Sequence, residues 1–407
     1  MTEYTCRLCK GDLHEVLDLG RQPISNAFVR AEEAAKVPFF HLAIGLCTSC
    51  AMVQQLDEVQ PNQMFRADYP YRASGSSVIR KHGEEVAERI LQRCPSGQDS
   101  FVVEIGSNDG VMLKRLSDAG IRHLGVDPAA VAADVAQTHG VNVWKDFFNA
   151  STATKIRDEH GAAHLIYSAN TISHISYLDS IFLGIDILLA PDGLFVFEDR
   201  YLGDIVNCVY FDQIYDEHIY LFSVRSVQAM AAQFGFELID VEHLPLHGGS
   251  IRYTVARGGI SKPSAAVAKF LALENAQGLA EEATFVEFST AVERIRMDLV
   301  SLLRDLRSEG RRVVGYGATS RSATVMNYCG IGPELLSMVC DSTPEKQGRL
   351  TPGTKVPVCP PEFFSHPYPD YALLFAWNHA EEIMAKEQLF HESGGRWILY
   401  APKVHLV

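Results

Sequence analysis

From residue 101 to residue 198 short apolar runs alternate with amphipathic stretches. The runs 101–105, 123–126, 141–144, 164–168 and 194–198 are four or five residues long, and each predicts a strand. The stretches 111–119, 129–138, 151–159 and 177–189 between them predict helices. Strands separated by helices at this spacing predict a parallel, doubly wound sheet. Upstream, composition changes across residues 68–72, after which Ser74, Gly75, Ser76 and Ser77 offer caps for a helix running to about Cys94. Downstream, residues 262–308 are mostly helical. Phe285, Phe288, Val292, Ile295, Leu299, Leu302 and Leu306 recur there in steps of three and four. Three heptads are the lower limit for a coiled coil, so this stripe is read as one helix face packed on a core. A second α/β unit follows, with strands at 313–317, 336–340, 371–376 and 397–400 and a helix at 322–328.

Composition narrows the class. The 407 residues are 47% hydrophobic and 21% charged, as in a folded globular chain. A net charge of −14 makes a poor general binder of nucleic acid or anionic lipid. Met1 to Cys6 carries no basic stretch leading into an apolar one, and the most apolar segment, 181–197, is interrupted by Asp186, Pro191 and Asp192. The expectation is a soluble, cytoplasmic protein without a membrane partner.

The cysteines are more informative. Cys6 and Cys9 form one C-x2-C pair and Cys47 and Cys50 another, while Cys94, Cys208, Cys329, Cys340 and Cys359 are scattered singly. Two such pairs supply the four thiolates of a closed, tetrahedral, structural zinc site, with a small subdomain folded between them. The plan is therefore a zinc-binding module (residues 1–72), a central Rossmann-like α/β domain (73–258), and a helical connector with a smaller Rossmann-like α/β domain (259–407).

Two glycine-rich loops follow first strands. In Glu104-Ile105-Gly106-Ser107-Asn108-Asp109-Gly110 the second glycine of a dinucleotide fingerprint is replaced by Asn108, with Asp109 beside it. Glu104 at the strand end suits a cationic sulfonium better than a diphosphate, and Asp127 at the end of the next strand suits a ribose diol. Asp146 and Phe147 follow the third strand and strengthen the S-adenosylmethionine reading over a dinucleotide or a plain tight turn. The second loop, Gly315-Tyr316-Gly317-Ala318-Thr319-Ser320, ends in serine, is followed by Arg321, and has Asp341 after the next strand. It could hold NAD or the diphosphate of another nucleotide, or be a structural turn. Between the loops, Phe211 to His218 gathers Asp212, Tyr215, Asp216, Glu217 and His218, and Asn170, Thr171, Ser173 and His174 follow the fourth strand at the ligand-binding edge. Two histidines, a tyrosine and carboxylates there point to catalysis.

With these residues in view, the chain resembles the zinc-containing C-methyltransferases of deoxysugar biosynthesis, which methylate a ring carbon of nucleotide-linked 4-keto sugars. The resemblance runs along the whole chain: Cys6-Arg7-Leu8-Cys9, Leu19 to Asn26, Cys47-Thr48-Ser49-Cys50, Val103 to Gly110, Asn170 to His174, Tyr215 to His218, His247-Gly248-Gly249-Ser250, Gly315 to Ala318, Lys346-Gln347-Gly348, Thr351-Pro352-Gly353 and Ala376-Trp377-Asn378. Many members carry histidine where this chain has Asp216.

The resemblance implies zinc on the four cysteines and a class I S-adenosylmethionine fold in the central domain. Glu104, Gly106, Ser107, Asn108, Asp109, Gly110, Asp127, Pro128, Asp146, Phe147 and Asn170 would form the cofactor site. It also implies a dTDP-linked sugar held by Asn26, Ser250, Gly317, Thr319, Ser320, Arg321, Asp341, Trp377 and Asn378, and a monomer. The chemistry needs a base to remove the proton beside the ketone. His218 is the candidate, with Glu217 orienting it or holding a sugar hydroxyl, and Tyr215, His174 and Tyr69 serving the enolate oxygen and ring hydroxyls. Tyr215 itself could be the base only beside cations, and the sequence shows none nearby. An NAD-dependent sugar oxidoreductase built on the second loop is the alternative enzyme reading. A zinc-ribbon nucleic-acid module is the non-enzymatic one, opposed by the net charge and by the lack of Lys/Arg clusters near the cysteines.

Overall fold

The computed structural model describes residues 4–64, 72–93 and 100–407. Tyr69, the composition change at 68–71 and the helix end at Cys94 lie outside the described residues.

The N-terminal segment is an antiparallel sheet of β1 (Tyr4–Thr5), β2 (Asp12–Pro23), β3 (Phe39–Cys47) and β4 (Val53–Gln55). Leu13, Leu17 and Leu19 of β2 are buried, Leu13 in the cluster of the cysteines and Leu17 and Leu19 in a second cluster, and the register between β2 and β3 shifts twice. The central domain brings β5 (Phe101–Ile105), β6 (Arg122–Val126), β7 (Val143–Trp144), β8 (Ala163–Ala169) and β9 (Leu189–Arg200), each paired parallel with its neighbour. β10 (Tyr220–Leu221) leaves this domain and pairs with β4, so the N-terminal sheet is completed by the central part of the chain.

The helices at Val111–Asp118, Ala130–Thr138, Ala150–His160 and Leu178–Leu188 fall where the pattern predicts them. The wholly parallel sheet does not. β11 (Phe236–Leu244) and β12 (Ser250–Arg257) form an antiparallel hairpin, and β12 also runs antiparallel to β9, giving a mixed seven-stranded sheet of order β11-β12-β9-β8-β5-β6-β7. Only residues 245–249 separate the two hairpin strands, too few for a crossover helix, so the connection has to reverse the chain.

The helical region is two helices, Ala265–Gln277 and Glu282–Ser308. Along the second the buried face carries Leu303 rather than Leu302, which is only partly buried; the other six predicted positions are buried. This face closes one apolar cluster with Leu17, Leu42 and Leu46 of the N-terminal sheet and Val325, Val339 and Ile398 of the C-terminal domain. That domain holds β13 (Val313–Tyr316), β14 (Val339–Cys340), β15 (Val358–Cys359), β16 (Tyr371–Leu374), β17 (Arg396–Leu399) and β18 (His405–Leu406), in the order β15-β14-β13-β16-β17-β18 and parallel except for β18. No helix among the described residues is long and apolar enough to cross a membrane.

Candidate active site and metal centre

The four cysteines meet. The Sγ atoms of Cys6 and Cys50 are 3.7 Å apart, those of Cys9 and Cys47 3.4 Å, and all four lie within 4.8 Å of one another. A tetrahedron of Zn–S bonds of about 2.3 Å has S–S edges of about 3.8 Å, so the donor set fits zinc and leaves no open coordination position. Each knuckle turns on the residue after its second cysteine, Lys10 (φ 62°) and Ala51 (φ 57°), and the amides of Cys6 and Cys47 donate across the turns to Gly11 O (2.8 Å) and Met52 O (2.9 Å). Cys6, Cys47 and Cys50 pack in the same apolar cluster as Phe182, Phe222 and Met230 of the central domain, so the metal centre staples a shared core.

The first glycine loop joins β5 to the helix Val111–Asp118. Gly106 has φ 74°, and a Cβ on it would lie 2.2 Å from Thr171 Oγ1, so a side chain there would displace the end of β8. Asp127 holds the loop. Its Oδ2 accepts from the Asn108 amide (2.8 Å) and its Oδ1 from the Ala129 amide (2.8 Å). Pro128 is half-buried in that turn. Asn108 and Asp109 in turn accept from the amides of Ala73 (3.0 Å) and Ser74 (3.2 Å), tying the loop to the start of the helix Ser77–Arg93. Glu104 is buried, and its Oε2, like the Ser107 hydroxyl, has no hydrogen-bond partner among the described residues. Burial first, and then Asp127, Asp109 and Glu198, hold the Glu104 carboxyl well above the usual carboxylate range. A buried acidic floor with an unpartnered carboxyl oxygen fits a cationic sulfonium or ammonium ligand. Asn170, at φ 50°, and the Asp146-Phe147 pair line the same edge; burial and then Asp146 push the Tyr177 phenol up to about 12.

Next to this edge, His174, Tyr215 and His218 come together. The two imidazoles stack with centroids 5.2 Å apart, and the Tyr215 ring lies 3.9 Å from that of His218. His218 is 1% exposed, and its Nδ1 bonds the backbone carbonyl of Gln213. A carbonyl only accepts, so Nδ1 carries the proton and Nε2 presents its lone pair. That Nε2 is buried with no partner among the described residues. The Gln55 side chain clamps the segment by donating to the carbonyls of Tyr215 (2.6 Å) and His218 (2.8 Å). Glu217 accepts from Asn26 Nδ2 (2.8 Å), and Asp216 accepts from the Ser25 amide (2.9 Å), so the N-terminal module forms one wall of the site.

Cations are nearer than the sequence suggests. Arg200, at the end of β9, acts on Tyr215, His174 and His218, and Arg321 on Tyr215 and His218. Burial still outweighs both arginines at Tyr215 and raises its phenol above 10, so the tyrosine is not acidified. Burial followed by Arg200 lowers His174 to about 3 and takes His218 well below the ordinary imidazole value; both rings are neutral bases near pH 7. Neither arginine's part was read from the sequence alone. Arg200 stands two positions beyond the predicted strand 194–198, at the carboxyl edge, and that placement was its signal.

The C-terminal domain repeats the first glycine loop's device. Asp341 Oδ2 accepts from the Ala318 amide (2.7 Å) and Oδ1 from the Thr343 amide (2.7 Å), as Asp127 does in the first loop. Gly317 has φ 87°, and Thr319 caps the helix Ser320–Cys329 through the Ser322 amide (3.2 Å). Arg321 Nη1 donates to Asn378 Oδ1 (3.0 Å), and its guanidinium lies over the Trp377 ring at 4.9 Å. Trp377 Nε1 and Tyr400 Oη both donate to the buried Asp212 Oδ2 (2.6 Å each), and Tyr210 stacks on Trp377 at 4.0 Å. Ser250 donates to Leu246 O (3.1 Å), closing the hairpin turn. Trp377 and Tyr400 thus join the domains through Asp212, while Thr319 and Asn378 are engaged within the C-terminal domain.

A class I methyltransferase sheet with its acidic glycine loop, joined to a four-cysteine metal module, defines a zinc-containing, S-adenosylmethionine-dependent methyltransferase. Family models match along the chain: a zinc binding domain at residues 6–65, a methyltransferase domain at 79–241 and a C-methyltransferase C-terminal domain at 245–402, which contains the second glycine loop. The chain is 34% identical over 405 residues to the C-methyltransferase NovU of Streptomyces niveus, covering 99% of this chain and 96% of that one. It belongs to the C-methyltransferase family. Similar solved structures include a SAM-dependent methyltransferase from Anabaena variabilis (18% identity, 43% of this chain, 85% of that one, TM-score 0.34) and the PH0226 protein from Pyrococcus horikoshii (16% identity, 46% and 94%, TM-score 0.36).

Proposed function

We propose that this C-methyltransferase acts on a carbon beside the ketone of a nucleotide-linked 4-keto deoxysugar, with His218 as the base. The observation that carries the reading is the unpartnered, buried Nε2 of an imidazole whose other nitrogen is tied to the Gln213 carbonyl. S-adenosylmethionine, when bound on the Glu104–Gly110 loop, supplies an electrophilic methyl group to a carbon nucleophile. His218 Nε2 takes the proton from the carbon next to the ketone, and the C–H electron pair moves into the C–C bond while the carbonyl pair moves onto oxygen, giving the enolate. Glu217, fixed by Asn26, orients the sugar through a ring hydroxyl. His174, stacked on His218, keeps water away from the base and lines the ring, and Tyr69 is assigned to the same hydroxyls. The diphosphate, dTDP in this reading, lies at the second loop, where Ser320 and the helix N-terminus face it. Kinship to the C-methyltransferase NovU along nearly the whole chain supports methyl transfer to carbon.

The test is a panel of nucleotide 4-keto sugars with wild type and His218→Ala. The alanine variant should lose ~10²–10⁴-fold in kcat. It should lose solvent exchange of the sugar's α-proton in parallel, and still bind S-adenosylhomocysteine. Near-normal exchange in His218→Ala would move the base elsewhere in the cluster.

A further inference from the structure

Arg200 is a buried cation for which the site as described has no task. Its side chain is 11% exposed, and Nη1 has no hydrogen-bond partner among the described residues. The nearest carboxylate oxygen, Asp199 Oδ1, is 4.0 Å from Nη1 and is already taken by the Ser173 hydroxyl (2.7 Å) and the Arg200 amide (3.1 Å). One edge of the guanidinium is fixed, because Nε donates to Gln213 Oε1 (3.0 Å) while Gln213 Nε2 donates to His247 O (2.6 Å). The same Gln213 supplies, through its backbone carbonyl, the acceptor that sets the His218 tautomer. One residue therefore positions both the base and the cation, and the cation acts electrostatically on the buried imidazoles of His174, His218 and His247. Removing a proton from carbon with a neutral base leaves the negative charge on the carbonyl oxygen, and a preorganised, desolvated cation is worth most at such a developing charge.

We propose that Arg200 is a catalytic residue that donates an Nη1 hydrogen bond to the carbonyl oxygen of the substrate and holds the enolate formed when His218 removes the α-proton. The assignment rests on the 4-keto sugar reading above and adds the electrophilic partner of the base. It also explains why a cation is tolerated beside a general base. Burial first and Arg200 second suppress imidazolium in the free enzyme, and the arginine's share is relieved as the oxygen it contacts becomes negative.

The experiment follows exchange of the sugar's α-proton into heavy water by NMR without methyl donor, together with kcat, KM and calorimetric affinity for the sugar nucleotide. Wild type, Arg200→Met and Arg200→Lys are compared. Arg200→Met should lose ~10²–10³-fold in exchange and in kcat, the range seen on deleting one oxyanion donor, with substrate affinity changed only a few-fold. Arg200→Lys, which keeps the charge but not the Gln213 anchor, should recover about tenfold of that loss and still fall short of wild type. Wild-type exchange rates in Arg200→Met would overturn the assignment. So would an affinity loss as large as the whole loss in kcat/KM with kcat unchanged, since that outcome marks a diphosphate ligand. If Arg200→Met does not fold, equal kcat in Arg200→Lys and wild type overturns it as well. A wild-type enzyme that exchanges no α-proton from any 4-keto nucleotide sugar instead sinks the substrate reading on which the proposal stands.

Discussion

Replacing Asp216 by asparagine should remove a pH dependence of stability that can be sized in advance. Asp216 is 1% exposed; its Oδ1 accepts from the Ser25 amide, and its Oδ2 has no hydrogen-bond partner among the described residues. Desolvation, only partly offset by the Ser25 bonds, raises its pKa from 3.8 to about 6. That rise corresponds to about 3 kcal/mol between the two protonation states. The folded pKa lies above the unfolded one, so the contribution is fully present below about pH 3.8, fades as pH rises, and is lost above about pH 6. The Asp216→Asn variant keeps the Ser25 bond through its side-chain carbonyl and does not titrate. The buried NH2 it introduces costs ~1–3 kcal/mol at every pH, which shifts the curve without tilting it. Urea unfolding followed by circular dichroism, with both zinc-loaded proteins compared pairwise from pH 4 to pH 8, reads the difference. The variant's stability relative to wild type should rise by roughly 2–3 kcal/mol across that interval, most of it below pH 6. A difference that stays flat within ~0.5 kcal/mol would show that the carboxylate is solvated in the folded protein, and the argument from burial would fail.

Metal analysis should find close to one zinc per chain, and Cys47→Ser should lose it along with cooperative thermal unfolding of the central domain, since the knuckles share that domain's apolar cluster. Active protein without zinc would contradict this. Gly106→Ala places a Cβ 2.2 Å from Thr171 Oγ1 at φ 74°, so S-adenosylhomocysteine affinity measured by calorimetry should fall at least tenfold; unchanged affinity would mean the loop is not the cofactor site. Ser320→Ala should raise KM for the sugar nucleotide several-fold and leave cofactor affinity alone, whereas saturable NAD binding by the wild type would restore the oxidoreductase alternative. Arg321 is the poorer probe of that loop, because its loss would strand the buried Asp212 and weaken the domain junction.

The chain's periodicity determined the five parallel strands of the central sheet and the helices between them, because burial shows in the local sequence as short apolar runs in the strands and as a repeat of three to four in the helices. The cysteine spacing determined the metal ligands, since a C-x2-C pair delivers two thiolates from one turn wherever it folds. The glycine loop, its acids and the polar run 211–218 were equally legible, being contiguous in sequence. The hairpin Phe236–Leu244 and Ser250–Arg257 was missed because alternation with helices stops there, and the exchange of Leu302 for Leu303 followed from which side of a long helix its neighbours approach. Tertiary structure alone decided that β10 completes the N-terminal sheet, that Asn26 reaches Glu217 across 191 positions, and that Trp377 and Tyr400 converge on Asp212. It also decided the electrostatics of the base. The tautomer of His218 and the company of Arg200 and Arg321 depend on desolvation and on distances between residues far apart along the chain, which no local pattern encodes.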